Sequence, residues 1–225
     1  AEDGIRDIGV TGVQTCALPI YSCNYQHRFL NLGRQGHQKI KTESEYPVNP
    51  SYAFNKEETL VWLQRFYEAC SYGVSNNCKY ILMLEDDVLV KNRITFVPEN
   101  YGFCCGPENM ENSISHALTN YLAQKYDIIC NTNFYACCGG AIFDAKLFVE
   151  RYYQILHFIN TEFDILFHLD DKMGWLDFSM HIIYFYLGCQ YIPNPQFAET
   201  WMKEKWGIDW ELPEYSIIHQ YKEHY

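Results

Sequence analysis

The chain has 225 residues, is 48% apolar and carries a formal net charge of −11 at pH 7. That length suits one α/β domain with a substantial core. So acidic a chain offers no basic face to displace counterions from a phosphate backbone, so no nucleic-acid partner is expected and a cation or metal–phosphate complex suits it better.

Taken from the N-terminus, residues 10–20, V-T-G-V-Q-T-C-A-L-P-I, resemble the translation of a common sequencing-adapter oligonucleotide. Residues 1–20 are therefore set aside as an artefactual or disordered leader, with a genuine N-terminal strand as the rival reading. Setting aside Glu2, Asp3, Asp7 and Arg6 changes the charge from −11 to −9. Residues 21–225 are expected to form a single domain whose true N-terminus is missing. Any membrane anchor belongs to that missing part, because the most apolar stretch, 181–192, is too short for a bilayer and is broken by Gly188.

Residues 21–51 are polar and irregular, with Gly33, Gly36, Pro47 and Pro50. Asn55, followed three residues later by Glu58, predicts a capping box that opens a helix running to about Tyr72. Its apolar stripe is Leu60, Trp62, Leu63, Phe66, Tyr67 and Cys70, and Gly73 is the expected stop. The run Y-I-L-M-L over 80–84 is too short for a core helix and reads as a buried strand.

Glu85, Asp86 and Asp87 follow that strand directly. Three adjacent carboxylates repel one another at close range. An oxygen-preferring divalent cation, Mn²⁺ or Mg²⁺, with a phosphate substrate as further ligand, relieves that repulsion. The plain alternative is an exposed acidic turn after a core strand. On a continuing strand Glu85 and Asp87 share a face. Asp87 is the first choice of metal ligand, with Asp86 on the nucleotide ribose or on the cation through water, and Glu85 behind them.

Residues 115–126 read as a helix and 127–130 as a possible strand. F-Y-A-C-C-G-G-A-I-F over 134–143 reads as a strand interrupted by Gly139 and Gly140, where a ligand could approach the backbone closely; a bulge is the alternative. Asp144 caps a long helix to about Ile159. A further helix spans roughly 175–187, with Trp175 and Asp177 at its start. Asp177 is either a residue favoured by the helix dipole or a general base for a sugar hydroxyl, and Trp175 either core or a sugar-stacking face. Asp170 and Asp171 form a rival acidic pair. Residues 190–195 are extended, and 216–219 form a short apolar approach to His219. An imidazole there completes an oxygen-rich metal sphere or is simply partly buried; His224 and His181 rank below it. Helices alternating with short apolar strands predict an α/β fold.

The nine cysteines outside the leader include no C-x-x-C, so a zinc site is not expected. They are either disulfides of an oxidising lumen, with Cys70–Cys78 as one candidate pair, or buried thiols. There is no N-x-S/T sequon, since Asn49-Pro50-Ser51 contains proline, and no serine or cysteine nucleophile motif.

Y-I-L-M-L-E-D-D-V resembles the metal-binding segment of GT-A glycosyltransferases. Its E-D-D variant is similar to that of the N-acetylglucosaminyltransferase IV and GPI-GalNAc transferase group. C-C-G-G-A-I-F, the helix bearing Trp175 and Asp177, and the terminal I-I-H-Q-Y-K-E-H-Y follow in a similar order. The resemblance covers about 55–224 and implies a GT-A-like mixed sheet flanked by helices, N-terminally truncated. It implies a nucleotide-sugar donor, usually a UDP-sugar, a glycan or glycolipid acceptor, and Mn²⁺ or Mg²⁺ held by Asp87 and His219. Asp177 becomes the inverting base, and the Golgi or ER lumen the compartment, or the cytoplasm for a viral protein. The first donor-binding strand is not recognisable within 21–51. The alternatives are an inactive sugar- or nucleotide-binding domain of this fold, or a metal-dependent nucleotidyltransferase or phosphoesterase.

Overall fold

A strand that is apolar at every position must be covered on both faces, and the rest of the fold is arranged around one such strand. The computed structural model describes residues 8–12, 29–31, 54–84, 88–97, 103–105, 114–130 and 140–219. The elements are β1 (Ile8–Gly12), β2 (Phe29–Asn31), α1 (Lys56–Ser75), β3 (Tyr80–Leu84), β4 (Leu89–Val90), β5 (Phe103–Cys105), α2 (His116–Tyr126), β6 (Gly140–Asp144), α3 (Ala145–Leu169), α4 (Leu176–Tyr186), β7 (Tyr191–Pro193), β8 (Phe197–Glu199), α5 (Met202–Trp206) and β9 (Ile217–His219). The architecture is mixed α/β, as expected.

The larger sheet has the order β2-β1-β3-β6-β5-β7. β1 pairs parallel with both β2 and β3, whereas β6 runs antiparallel to β3. β1 lies inside the leader set aside from the sequence, and the register sets Ile8 beside Tyr80 and Gly12 beside Leu84. The smaller sheet has the order β4-β9-β8.

β3 is buried at all five positions. Ile81 and Met83 enter the main core with α1, α3 and α4, where Phe66, Phe143, Phe148 and Tyr184 are among the large fully buried side chains. Tyr80, Leu82 and Leu84 face the other way, into a second cluster with Val88, Ile142, Phe197 and Ile217. Each aliphatic side chain so buried contributes roughly 1.5–3 kcal/mol. The helices therefore cover one face of the larger sheet, and the smaller sheet covers the other.

Local signals place most helix ends where expected. Glu58 N–H donates to Asn55 Oδ1 at 2.9 Å and Asn55 N–H to Glu58 Oε2 at 3.1 Å, which completes the capping box. Ser115 caps α2, and Asp144 caps α3 by accepting from Leu147 N–H at 2.8 Å. Three boundaries differ. Gly73 lies within α1, with Cys78 against it, and the helix ends instead at Asn76, followed by Asn77 at φ 61°. α3 continues ten residues beyond Ile159, because Glu162, Phe163 and Leu166 extend its buried stripe to Leu169. Residues 127–130 are irregular rather than a strand: Asp127 adopts φ 57° as the left-handed cap of α2, and Ile129 is exposed.

Glu162 ties α3 to α2 by accepting from Lys125 and Tyr121. Burial pushes its carboxyl up, but hydrogen bonds from Lys125, Tyr121 and Tyr126 together outweigh that and hold it below the usual range. Cys70, Cys78, Cys130 and Cys189 are free thiols, so of the two readings the candidate Cys70–Cys78 disulfide is not formed. Cys70 belongs to the buried stripe of α1, where desolvation pushes its thiol well up and leaves it a small core hydrophobe.

Polar ties at its edge hold the smaller sheet. Lys91 Nζ donates to the carbonyls of Trp210, Glu211 and Leu212 at 3.0, 2.8 and 3.1 Å. Gln196 Oε1 accepts from Thr95 N–H at 2.8 Å and Phe96 N–H at 2.7 Å. Both contacts lock the exit of β4 onto the chain around β8 and β9. Lys91→Met is expected to cost about 1–3 kcal/mol and to speed amide hydrogen exchange at Ile217 and Ile218. Urea titration and exchange mass spectrometry measure the two effects, and unchanged exchange would show that Lys91 does not hold this sheet.

Candidate functional site

The order of the larger sheet reverses at β3. From β1 the chain moves outward to β2, returns to β3 on the other side of β1, and continues toward β6, β5 and β7. β1 and β3 are thus parallel neighbours whose onward connections diverge. The crevice beyond the carboxyl ends of such a pair is where open α/β sheets bind ligands. Leu84 ends β3 at the carboxyl end of this pair, and Glu85, Asp86 and Asp87 are the next residues in the chain. Those three acids, and Gly139, lie outside the described residues.

Strand register brings two other sequence-picked positions to the same end. Gly140 pairs with Leu84, the last residue before the acids. β4 begins two residues after Asp87 and runs antiparallel to β9, with Leu89 opposite Ile218 and Val90 opposite Ile217. Extended by one residue, that register sets Val88 opposite His219. Asp87 is bonded to Val88, about 3.8 Å away between Cα atoms. Gly140 and, through Val88, His219 are thereby brought toward the end of β3, although some 55 to 130 residues separate these positions in sequence.

His219 is 4% exposed and its side chain has a buried partner. β8 and β9 pair parallel with Glu199 beside His219. His219 Nδ1 lies 2.9 Å from Glu199 Oε2, and the same oxygen accepts Trp201 Nε1–H at 2.7 Å. Glu199 is fully buried, and its other oxygen, Oε1, has no hydrogen-bond partner among the described residues. Strand alternation fixes which way the pair faces. Ile217 and Phe197, two residues before His219 and Glu199, pack into the cluster containing Leu84 and Val88, while Ile218 and Ala198 face away. The pair therefore lies between the two sheets, at the level where β3 ends.

Glu199 was not singled out from the sequence. F-A-E-T-W carries no local signal for it, because the only mark of its importance is a tertiary one: a carboxylate at 0% exposure.

Asp177 and Trp175 belong to the opposite, helical face. Tyr184 Oη–H donates to the Asp144 carbonyl at 3.1 Å, and the ring of His181 meets that of Phe143 at 6.3 Å. Helix α4 therefore runs alongside β6, with its N-terminus toward the Gly140 end of the sheet. Asp177 is partly exposed in the first turn, and its Oδ1 accepts Phe178 N–H at 2.8 Å. Trp175 is 40% exposed, so it is not a core residue. Asp170, of the rival acidic pair, is a structural residue. It is 5% exposed and accepts from Ser115 N–H at 2.8 Å, Lys172 N–H at 3.2 Å and Lys172 Nζ at 2.8 Å. His181, ranked low from the sequence, is fully buried, with Nδ1–H donated to the Asp177 carbonyl at 2.6 Å.

No family model matches the chain, and no curated protein matches it. Among the described residues no three His, Cys, Asp or Glu side chains gather as a metal group, and no helix is long and apolar enough to cross a membrane. Two features of the described residues bear on a cation. A buried imidazole already held by a carboxylate is the usual second-sphere arrangement of a metal-ligating histidine, and the orphaned Oε1 of Glu199 marks a polar position that the described chain does not complete.

Desolvation lowers the pKa of His181 from 6.5 to about 4. Between those values the unfolded chain takes up a proton that the folded chain refuses. Stability is therefore lost as pH falls from about 6.5 toward 4, by up to roughly 3 kcal/mol. The difference in urea midpoint between neutral and mildly acidic pH should shrink in His181→Leu, and an unchanged difference would assign the acid sensitivity to other groups.

Proposed function

We propose that the protein is a metal-dependent, inverting glycosyltransferase that moves a sugar from a nucleotide-sugar, a UDP-sugar foremost, to a hydroxyl of a glycan or glycolipid. The observation that carries this reading is the β4–β9 register. It sets Leu89 opposite Ile218, so that one further step of the same ladder would bring His219 to Val88, the residue that follows Glu85, Asp86 and Asp87, beside the switch point between β1 and β3. The sheet itself supports the GT-A comparison, with parallel strands on one side of β3 and an antiparallel strand on the other. β1 and β2 supply strands N-terminal to β3, β1 within the segment for which a genuine N-terminal strand was the rival reading and β2 within 21–51, where no donor-binding strand was recognisable from the sequence.

In this reading Asp87 and His219 hold Mn²⁺ or Mg²⁺, with Asp86 toward the ribose and Glu85 behind. A bound cation supplies Lewis-acid stabilisation of the departing diphosphate. Asp177 removes the proton from the acceptor hydroxyl; its partial exposure and place in the first turn of α4 let it meet solvent-borne substrate. Trp175 offers an exposed ring to a sugar face. Gly139 and Gly140, the latter paired with Leu84, allow the substrate to lie against backbone. The nucleotidyltransferase or phosphoesterase alternative needs a second group of acids, and Asp170 is committed to capping and to Lys172.

Purified protein with Mn²⁺ and a panel of UDP-sugars is expected to release UDP. Asp87→Ala should lower that release at least about a hundredfold, and Asp177→Asn should lower kcat by a similar factor with little change in donor binding. Undiminished turnover in Asp87→Ala would refute the assignment. Mn²⁺-dependent UDP binding without release at any acceptor concentration would instead support a binding domain of the same fold.

A further inference from the structure

Glu199 lies outside the residues that the proposed reaction requires, yet it is the most deeply buried carboxylate of the smaller sheet. Its neighbours explain what one of its oxygens does. Oε2 accepts two donors at once: Trp201 Nε1–H at 2.7 Å, which has no other role open to it than donor, and His219 Nδ1 at 2.9 Å. A carboxylate facing an imidazole nitrogen at that distance requires a proton between them. In the neutral ring, that proton on Nδ1 leaves the lone pair on Nε2. The backbone fixes the same geometry, since Glu199 and His219 are register partners on neighbouring parallel strands and share one face.

We infer that Glu199 is the positioning residue of the cation site: it locks His219 in the Nδ1–H tautomer, so that Nε2 is the atom presented to the cation, while Trp201 holds the carboxylate in place. This rests on the cation reading given above. The arrangement also accounts for why a carboxylate is kept in a fully buried position at all. A buried polar side chain with one oxygen unpartnered among the described residues is costly for stability, and an outer partner that orients a metal-binding histidine is a function that offsets such a cost.

The test uses the whole chain, labelled with ¹⁵N-histidine and free of metal, at a pH above the ordinary histidine range. His219 is assigned by the resonances missing from His219→Gln. In the wild type its Nε2 should give the shift of an unprotonated imidazole nitrogen and Nδ1 that of a protonated one. In Glu199→Gln, where the side-chain amide can also donate, the two tautomers should mix. Mn²⁺ binding, measured by electron paramagnetic resonance of the free ion, should weaken about 10- to 100-fold in Glu199→Gln, and less in Trp201→Phe, which leaves the carboxylate intact. The Nε2–H tautomer in the wild type overturns the inference without any variant being needed. Unchanged Mn²⁺ affinity in Glu199→Gln, alongside its loss in His219→Gln, overturns the positioning role and leaves the cation reading standing. No Mn²⁺ bound by a wild type that shows the expected tautomer overturns the cation reading, and with it the role of Glu199 in metal binding.

Discussion

The structure depends on the two-sided burial of β3. Five consecutive apolar side chains leave the strand no solvent face, so it requires a helical layer against Ile81 and Met83 and a second layer against Tyr80, Leu82 and Leu84. The carboxylates that follow at 85–87 cannot enter either layer without a large desolvation cost. The chain must therefore change character at Leu84. The strand ends there at the point where the sheet order reverses, and the proposed site follows from that coincidence.

The second layer is a three-stranded sheet rather than a helix, and this has a chemical consequence. Helices on both faces would have left the last residues of the fold remote from β3. A small sheet instead takes up the chain immediately after the acids as β4 and pairs it with β9 near the other end of the described chain. Strand pairing positions residues to within a fraction of a residue step, and alternation decides which side chains face inward. His219 and Glu199 face the β3 layer because Ile217 and Phe197 do. Lys91 and Gln196, which tie the loops around this sheet, thereby contribute to the position of His219 without approaching it chemically.

The two functional halves of the proposed mechanism are kept apart by the larger sheet. The cation side is built by β3, β4, β8 and β9, and the acceptor side by the first turn of α4, on the opposite layer. A donor lying across the carboxyl edge of the sheet would meet both. Such a division lets the buried, tightly packed side fix the charged part of a substrate, while the exposed Trp175 and the partly exposed Asp177 meet a larger acceptor from solvent.

What the sequence determined by itself was local. Asn55 with Glu58, Ser115 and Asp144 set helix starts because capping is an interaction over three or four residues. The strand Tyr80–Leu84 was legible because an apolar run this short has one economical placement. The long-range facts were decided by tertiary structure alone. The extension of α3 to Leu169 follows from a core that continues beneath it, and the free thiol of Cys70 from its burial in that core. Residues 127–130 lost a strand because Asp127 turned to cap a helix. Glu199 was illegible for a related reason: its significance is its contact with His219, twenty residues away, and no periodicity or spacing within one strand encodes which strand lies beside it.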